Sequence, residues 1–353
     1  MDCRVKPGND GSILGIVWMT DTHTDTPSVV ERTRPLNADA PVVGLHFLGD
    51  TAAFVLGEEA LMLAAREGGE RRVAVHGGGI LTSGTDGQRI VTGGDDGKLV
   101  ATDASGEIAV IATDAKHRWI DHVAIGPNGA LAWSAGKQAF VRDRKGAEQS
   151  WEAPSTVGAL AFMPKGFRLA VAHYNGVALW FPNAKAAPET LEWKGSHLGV
   201  TVSPDGRFVV TSMQESTLHG WRIADRKDLR MSGYAARVRS LAWSADGKWL
   251  ATSGSTQLIL WPFQAKEGPM GKTPQLLAPT EVQVEVVACH PQQPVVAVGY
   301  ADGLVLLVRI DDGAEILAKK PGGAPVTALA WSADGKLMAF GTEAGEAGIV
   351  DLR

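Results

Sequence analysis

The sequence predicts an all-β fold built from repeated units, and two observations support this prediction. The phrase Leu-Ala-Trp-Ser-Ala-Asp-Gly-Lys occurs twice, at 241–248 and 329–336, with a separation of 88 residues. Degenerate copies of the phrase place glycines at regular intervals: Gly87, Gly129, Gly166, Gly206 and Gly247. The gaps between these glycines are 42, 37, 40 and 41 residues. A fixed period of this length is the signature of a repeat architecture.

Each unit contains the signals of short strands joined by tight turns. In the best-formed unit, an apolar run at 238–244 leads through Ala245-Asp246-Gly247 into a second run at 249–252. A third run follows at 258–261 and a weaker fourth at 275–277. Glycine-containing turns between such runs indicate hairpins, because glycine adopts the positive φ that tight turns require. Four antiparallel strands per unit of about 40–45 residues predict the blades of a closed β-propeller.

The residues that close the third strands resemble those of a known family. They are Thr102-Asp103, Arg142-Asp143, Leu179-Trp180, Gly220-Trp221, Leu260-Trp261 and Val350-Asp351. With the Ser-Pro-Asp-Gly turn at 203–206, they make 42–353 similar to the WD-repeat β-propeller family, in a degenerate, bacterial-like form. No unit has a complete Trp-Asp pair, and the opening Gly-His dipeptide is missing. We therefore do not expect the family's Asp–His–Ser–Trp hydrogen-bond network in most units.

The number of blades follows from the candidate first strands, of which there are eight. They lie near 43–48, 79–84, 121–125, 157–162, 198–203, 238–244, 284–289 and 326–332. Residues 19–353 divided by eight give about 42 residues per unit, which matches the observed spacing, whereas division by seven gives about 48. We favour eight blades, with seven as the alternative.

The domain organisation follows from where the repeats begin and end. We interpret 1–18 as a mis-assigned or non-native extension, 19–27 as a mobile arm and 28–353 as a single propeller domain. The last unit supplies only three strands before Arg353. An N-terminal strand at 28–36 is expected to supply the fourth and close the ring, because an open strand edge promotes aggregation.

Composition limits the classes of partner. The net charge of −5 gives no basic excess of the kind that nucleic acid or an anionic membrane would require. The apolar stretch at 13–18 is far shorter than the ~20 residues of a membrane-spanning helix. Two cysteines far apart in the sequence, Cys3 and Cys289, indicate a reducing compartment. We expect a cytoplasmic monomer that binds neither nucleic acid nor membrane.

Neither a catalytic site nor a metal or cofactor site is expected. His76-Gly77-Gly78-Gly79 stands without a Gly-x-Ser-x-Gly nucleophile motif, so it is interpreted as a turn. Gly93-Gly94-Asp95-Asp96-Gly97 lacks the remainder of a calcium loop, and it falls where the turn between second and third strands belongs. Cys289-His290 lacks the paired spacing of a zinc site.

The resemblance implies where a partner would bind. In WD-type propellers the fourth-to-first and second-to-third connections share one end of the disc, which we call the top face. Here those connections contain aromatic and basic residues of the kind enriched in binding sites. We predict Trp119, Tyr174, Tyr234 and Arg237 as partner-binding anchors, surrounded by His117, Arg118, His173, His197 and Tyr300.

Two classes of function remain open. The resemblance favours a non-catalytic scaffold that binds a protein or peptide on the top face, without cofactors. The alternative is a propeller that uses its central channel for a small ligand, a metal or catalysis. Convergent His, Asp or Glu residues at one phase of successive first strands would favour the alternative. Apolar and small residues are found there instead, with His46 and His122 isolated.

Overall fold

The computed structural model describes residues 26–126 and 129–353. The interpreted extension at 1–18 and positions 19–25 of the interpreted arm lie outside the described residues. The described chain is almost entirely β-structure, with a single turn of 3-10 helix at Val30–Arg32. The first three sheets in chain order have four strands each. They comprise β2 (Val42–Leu48), β3 (Thr51–Leu56), β4 (Ala60–Ala65) and β5 (Glu70–Ala74); β6 (Ile80–Thr85), β7 (Arg89–Gly94), β8 (Lys98–Asp103) and β9 (Ile108–Thr113); and β10 (His122–Ile125), β11 (Leu131–Ala135), β12 (Gln138–Arg142) and β13 (Glu148–Glu152).

The fourth sheet has six strands and the remaining three have four. The fourth comprises β14 (Ala159–Phe162), β15 (Leu169–Trp180), β16 (Glu189–Val202), β17 (Phe208–Met213), β18 (Leu218–Arg222) and β19 (Lys227–Met231). The others comprise β20 (Leu241–Trp243), β21 (Trp249–Thr252), β22 (Leu258–Pro262) and β23 (Gln275–Leu277); β24 (Val284–Cys289), β25 (Val295–Tyr300), β26 (Val305–Arg309) and β27 (Glu315–Lys319); and β28 (Val326–Trp331), β29 (Leu337–Thr342) and β30 (Glu346–Asp351) with β1 (Thr33–Asn37).

The expectation of eight separate blades is wrong, because the described strands form seven sheets. The fourth sheet spans two sequence units. Its strand β15 turns back on itself where Asn175 and Gly176 have φ of 70° and 152°. This turn sets Val171 and Ala178 in one core cluster, as opposed positions of a hairpin require. Strand β16 bends at Gly195, whose φ is 127°. It pairs with β15 from Glu189 to Glu192 and again at Ser196, and with β17 from His197 onward. Counting each sheet as one blade therefore gives seven.

The blades form a ring through packing between their first strands. Strand β2 contacts β6 on one side and β28 on the other, and β24 contacts both β20 and β28. One core cluster joins Phe54 and Met62 of the first sheet to Ala339 and Ile349 of the last. No sheet in the described part of the chain closes on itself by hydrogen bonds.

The last sheet takes its outer strand from the N-terminal end of the chain. Strand β1 pairs antiparallel with β30 from Thr33↔Val350 to Asn37↔Glu346, so the pairing starts later than residue 28. Ser28 instead forms a parallel bridge to Leu317 of β27, and the Leu317 N–H donates to the Pro27 carbonyl at 2.7 Å. Pro27, the last residue of the interpreted arm, is thus hydrogen-bonded to a blade.

The repeated Ser-x-Asp-Gly phrase forms the turn between first and second strands. Ser244 Oγ donates to Asp246 Oδ1 at 2.7 Å and accepts from the Trp249 N–H at 3.0 Å. Gly247 has a φ of 68°, which favours glycine at this position. The copies at Ser203 and Ser332 repeat the same bonds. Each phrase therefore fixes the start of a second strand, and this explains its recurrence.

Second and third strands form the core of each blade. Strands β17, β25 and β29 are buried along their whole length, because each lies between two neighbouring blades. The outer strands are mostly exposed and carry the charges, as in β5 and β13. The ring thus presents loops at its two ends as the surfaces available for specific contacts.

Candidate functional site

Trp119 is the most exposed large side chain of the described apolar residues, at 61%. It lies in the connection between β9 and β10, on the top face. The connection is held by Asp114, whose carboxylate accepts from the backbone N–H groups of Lys116 and Arg118 at 3.0 Å. The Arg118 guanidinium pairs with the same carboxylate at 2.7 Å and lowers the pKa of Asp114 to about 2. Trp119 is therefore presented to solvent by an ordered loop.

Tyr174 is also exposed, at 53%, and lies at the tip of the β15 hairpin. Its backbone N–H donates to Ser155 Oγ at 2.8 Å, which ties the tip to the preceding interblade connection. Asn175 Oδ1 accepts from the Gly195 N–H at 3.1 Å, which ties it to the following one. The ring of Tyr174 thus projects from a tip anchored on both sides.

Two adjoining clefts, of about 500 and about 820 Å³, share Tyr174, Trp193 and Lys194. We call them together the Tyr174 cleft. Trp193 is partly buried and stacks on His219, with ring centroids 3.9 Å apart. The Arg230 guanidinium lies 5.2 Å from the Trp193 ring centroid. The cleft therefore combines aromatic surface with charged groups at one end of the fourth sheet.

The remaining surface residues among those predicted are basic. Arg237 is half-buried, and its Nη1 donates to Gln214 Oε1 at 3.3 Å, which places it beside the Tyr174 cleft. His117 is exposed, with a φ of 53°. Arg118 is half-buried in its ion pair with Asp114. The top face thus displays five of the nine predicted residues.

The other four predicted residues are buried. Tyr234 donates to or accepts from Thr252 Oγ1 at 2.9 Å and accepts from Trp261 Nε1 at 2.6 Å. Burial raises its pKa to about 12. Tyr300 is fully buried and donates to the Ala278 carbonyl at 2.7 Å. The hydroxyl groups of these two tyrosines form hydrogen bonds within the protein, and their side chains are buried.

The two histidines of this group lie beneath the top face. His197 is 1% exposed, with Nδ1 2.8 Å from Thr211 Oγ1 and Nε2 3.0 Å from the Trp193 carbonyl. His173 is 4% exposed and lines the Tyr174 cleft from inside the blade. Both side chains point into the blade. Which side chains of a strand point inward depends on where its turns lie, and not on the residue type.

Sequence reasoning missed Trp193, Glu192 and Lys194. They lie in β16 immediately before its bend at Gly195. The available signal was Gly195 itself, because pairing with β15 is interrupted between Glu192 and Ser196 and pairing with β17 begins at His197. The bend brings this part of the strand onto the top face.

A hydrogen-bond network also appears that was not expected. His76 Nδ1 lies 3.0 Å from Asp96 Oδ1, and Nε2 lies 2.8 Å from Thr92 Oγ1. Asp96 also accepts from the Gly77 N–H at 3.0 Å. This network locks the glycine-rich phrases at 76–79 and 93–97 together as turns. Among the described residues no cluster of three or more His, Cys, Asp or Glu could hold a metal ion.

One pair of chemical interest joins two first strands, since His46 Nε2 of β2 and Ser83 Oγ of β6 are 2.9 Å apart. Burial lowers the pKa of His46 to about 4, so the imidazole is a weak base near neutral pH. Burial is the cause of this shift, whereas a catalytic triad orients its histidine with a carboxylate. Burial also raises the pKa of the Cys289 thiol to about 12, which disfavours its thiolate form near neutral pH.

Comparisons with known proteins agree with this architecture. The family model of the WD domain, G-beta repeat, matches 227–262, and that of the anaphase-promoting complex subunit 4 WD40 domain matches 287–353. No curated protein matches the chain. A crystal structure of the computationally designed Ika8 protein is similar, with a TM-score of 0.71 and 16% identity over 89% of this chain and 97% of that one.

The described part of the chain has no helix that is long and apolar enough to cross a membrane. The two family matches coincide with repeat units whose strands and turns are described above. Two stretches of this β-propeller, 227–262 and 287–353, are thus similar to WD-repeat family models.

Proposed function

We propose that this protein is a non-catalytic scaffold that binds a protein or peptide on its top face. The observation that carries the proposal is the exposure of Trp119 and Tyr174, each on a connection ordered by hydrogen bonds. Exposed aromatic side chains on rigid loops are typical anchors of interfaces, because they bury a large area at little entropic cost. WD-repeat propellers generally mediate protein–protein interactions, which supports the same conclusion.

Exposed apolar residues at register shifts add surface to these anchors. Val43 in β2, Leu81 in β6 and Leu198 in β16 each lie at a bulge in the ladder, and all three are exposed. Bulges re-aim side chains and interrupt pairing. A partner lying across the top face would cover these residues together with Trp119 or Tyr174.

The remaining parts of the proposal follow from the chemistry of the chain. Its net charge of −5 supports a protein partner rather than nucleic acid or an anionic membrane. The weakly basic His46 beside Ser83 supports the absence of catalysis. We propose that the protein acts as a cytoplasmic monomer, without cofactor or metal.

Quantitative affinity capture from cell extract tests the proposal with a matched control. Trp119→Ala and Tyr174→Ala should each reduce capture of a specific partner about tenfold, as loss of an interface anchor does. Phe181→Ala removes another exposed aromatic, 41% exposed, from the end of β15 opposite its tip. It should leave capture unchanged. Loss of capture with Phe181→Ala alone would place the site on the other end of the disc.

A further inference from the structure

We propose that the Tyr174 cleft binds a basic side chain, arginine or lysine, of the partner. This inference rests on the proposed function, and it names the chemistry recognised within the top face. The larger part of the cleft, of about 820 Å³, is lined by Pro154, His173, Tyr174, Glu192, Trp193 and Lys194 among others. Three features of these residues favour a cation that donates hydrogen bonds.

The first feature is a buried acceptor without a partner. The Nδ1–H of His173 donates to the Tyr174 carbonyl at 2.8 Å. A carbonyl only accepts, so in the neutral imidazole Nε2 is left as an acceptor. Nε2 is buried and has no hydrogen-bond partner among the described residues. An unpaired buried acceptor is destabilising, and a donor group from a ligand would satisfy it. The side-chain adjustment needed to reach it is common at interfaces.

The second feature is the carboxylate of Glu192, which is exposed and has no ion pair or hydrogen bond within the described chain. Glu192 pairs with Gly176, and Glu192 and His173 both line the larger part of the cleft. Gly176 carries no side chain, and its φ of 152° with the Leu191 carbonyl 2.3 Å from a built Cβ allows none. His173 and Glu192 therefore border the same cleft.

The third feature is the aromatic wall. Trp193 already holds the Arg230 guanidinium over its ring, and the half-exposed ring of Tyr174 has no such partner in the described part of the chain. Cations are attracted to aromatic faces, and a guanidinium or ammonium group also carries N–H donors that His173 Nε2 and the Glu192 carboxylate can accept from. The positive charge of Lys194 at the rim repels a bound cation. Removing that charge should therefore strengthen binding, whereas removing the charge of Glu192 should weaken it.

The test uses fluorescein-labelled random hexapeptide pools, each with one fixed residue: Arg, Lys, Gln, Glu or Leu. Binding to the full chain is measured by fluorescence polarisation. The Arg and Lys pools should bind most tightly. Glu192→Gln should weaken the Arg pool about tenfold, as loss of a charged hydrogen-bond partner does, and leave the Leu pool unchanged. Lys194→Gln should strengthen the Arg pool by about two- to threefold.

Glu343→Gln is the matched control, because Glu343 is an exposed carboxylate in the β29–β30 turn of the same face. It should change no pool. If the Arg pool binds no better than the Gln pool, or if Glu192→Gln has no selective effect, the inference is overturned. The proposed function then still stands if Trp119→Ala or Tyr174→Ala weakens any pool, and it fails if neither does.

Discussion

Tyr174 and Tyr300 both end a second strand at a turn, yet one is 53% exposed and the other is fully buried. The difference lies in the length of the turn. In β15 the chain reverses at Asn175 and Gly176, so the Tyr174 ring stands at the tip. After β25 the Tyr300 N–H donates to the Leu304 carbonyl at 3.0 Å, so the turn lies beyond Tyr300 and its ring stays in the blade.

The comparison shows that turn position, rather than residue type, separates surface from core on the top face. A Tyr-Asn-Gly sequence reverses the chain at once, whereas Tyr300-Ala301-Asp302-Gly303 delays the positive φ to Gly303, at 86°. A tyrosine is thus exposed to solvent in one unit and hydrogen-bonded to the Ala278 carbonyl in another. Changes at fold positions should therefore affect stability, and changes at surface positions should affect binding alone.

The largest expected effect comes from removing a strand that serves the fold alone. A chain starting at Asn37 loses the buried side chains of Val29 and Leu36 and opens the edge of β30. We expect the free energy of unfolding to fall by about 3–6 kcal/mol, from two buried aliphatic side chains, with aggregation at the open edge. Urea unfolding measures this, and a chain starting at Met19 is the control. Equal stability of the two chains would show that β1 does not hold the ring.

The two tyrosines themselves provide the sharpest stability test. Tyr300→Ala should lower the free energy of unfolding by about 3–5 kcal/mol, because it empties a large core position and leaves the Ala278 carbonyl unpaired. Tyr174→Ala should change it by less than about 0.5 kcal/mol, as surface substitutions do. Urea denaturation of both variants measures the contrast. Similar losses from both would mean that Tyr174 is part of the fold.

Acid should lower the free energy of unfolding through the buried His219. Burial, the largest cause, lowers the pKa of His219 to about 4 from its ordinary 6.5. Between pH 6.5 and 4 the unfolded chain binds a proton that the folded chain does not, so this contribution is complete above 6.5 and is lost as pH falls. From pH 7.5 to 5 we expect a loss of about 2 kcal/mol from this group.

His219→Phe keeps a ring against Trp193 and removes the titration. Urea unfolding of this variant at the two pH values should therefore show a smaller loss than that of the wild type. An identical loss in the two proteins would assign the pH dependence to other groups.

A smaller effect, without loss of stability, is expected from tyrosine modification. The chain has three tyrosines, and Tyr234 and Tyr300 are 8% and 0% exposed. Brief treatment with tetranitromethane should nitrate Tyr174 and spare the other two, since the reagent needs access to the phenol. Peptide mass spectrometry identifies the site. Nitration of Tyr300 in the folded protein would contradict the assigned turn.

Much of the fold is predictable from the repeated phrase. The Ser-x-Asp-Gly turn has local hydrogen bonds that require those residue types, so its position marks the second strands. The division into sheets is not predictable in the same way, because it depends on how hydrogen bonds continue through Gly195. The spacing of the repeated glycines does not show whether two neighbouring units are hydrogen-bonded into one sheet or form two sheets.

The site was only partly predictable. Trp119 lies in a long polar connection, so its exposure follows from the sequence. His173 and His197 are residues of a type common in binding sites, but they occupy inward-facing positions of their strands. Which positions face inward depends on the length of the turn, and that length differs between units. Trp193 was missed because its place beside the cleft depends on the bend of β16 at Gly195.

Hydroxyl-radical footprinting of the protein with its captured partner tests the central claim most directly. If the partner binds the top face, oxidation of Trp119 and Tyr174 should fall in the complex, while Phe181 at the opposite end of the disc stays fully reactive. Protection of Phe181 with no change at Trp119 or Tyr174 would contradict the proposed surface.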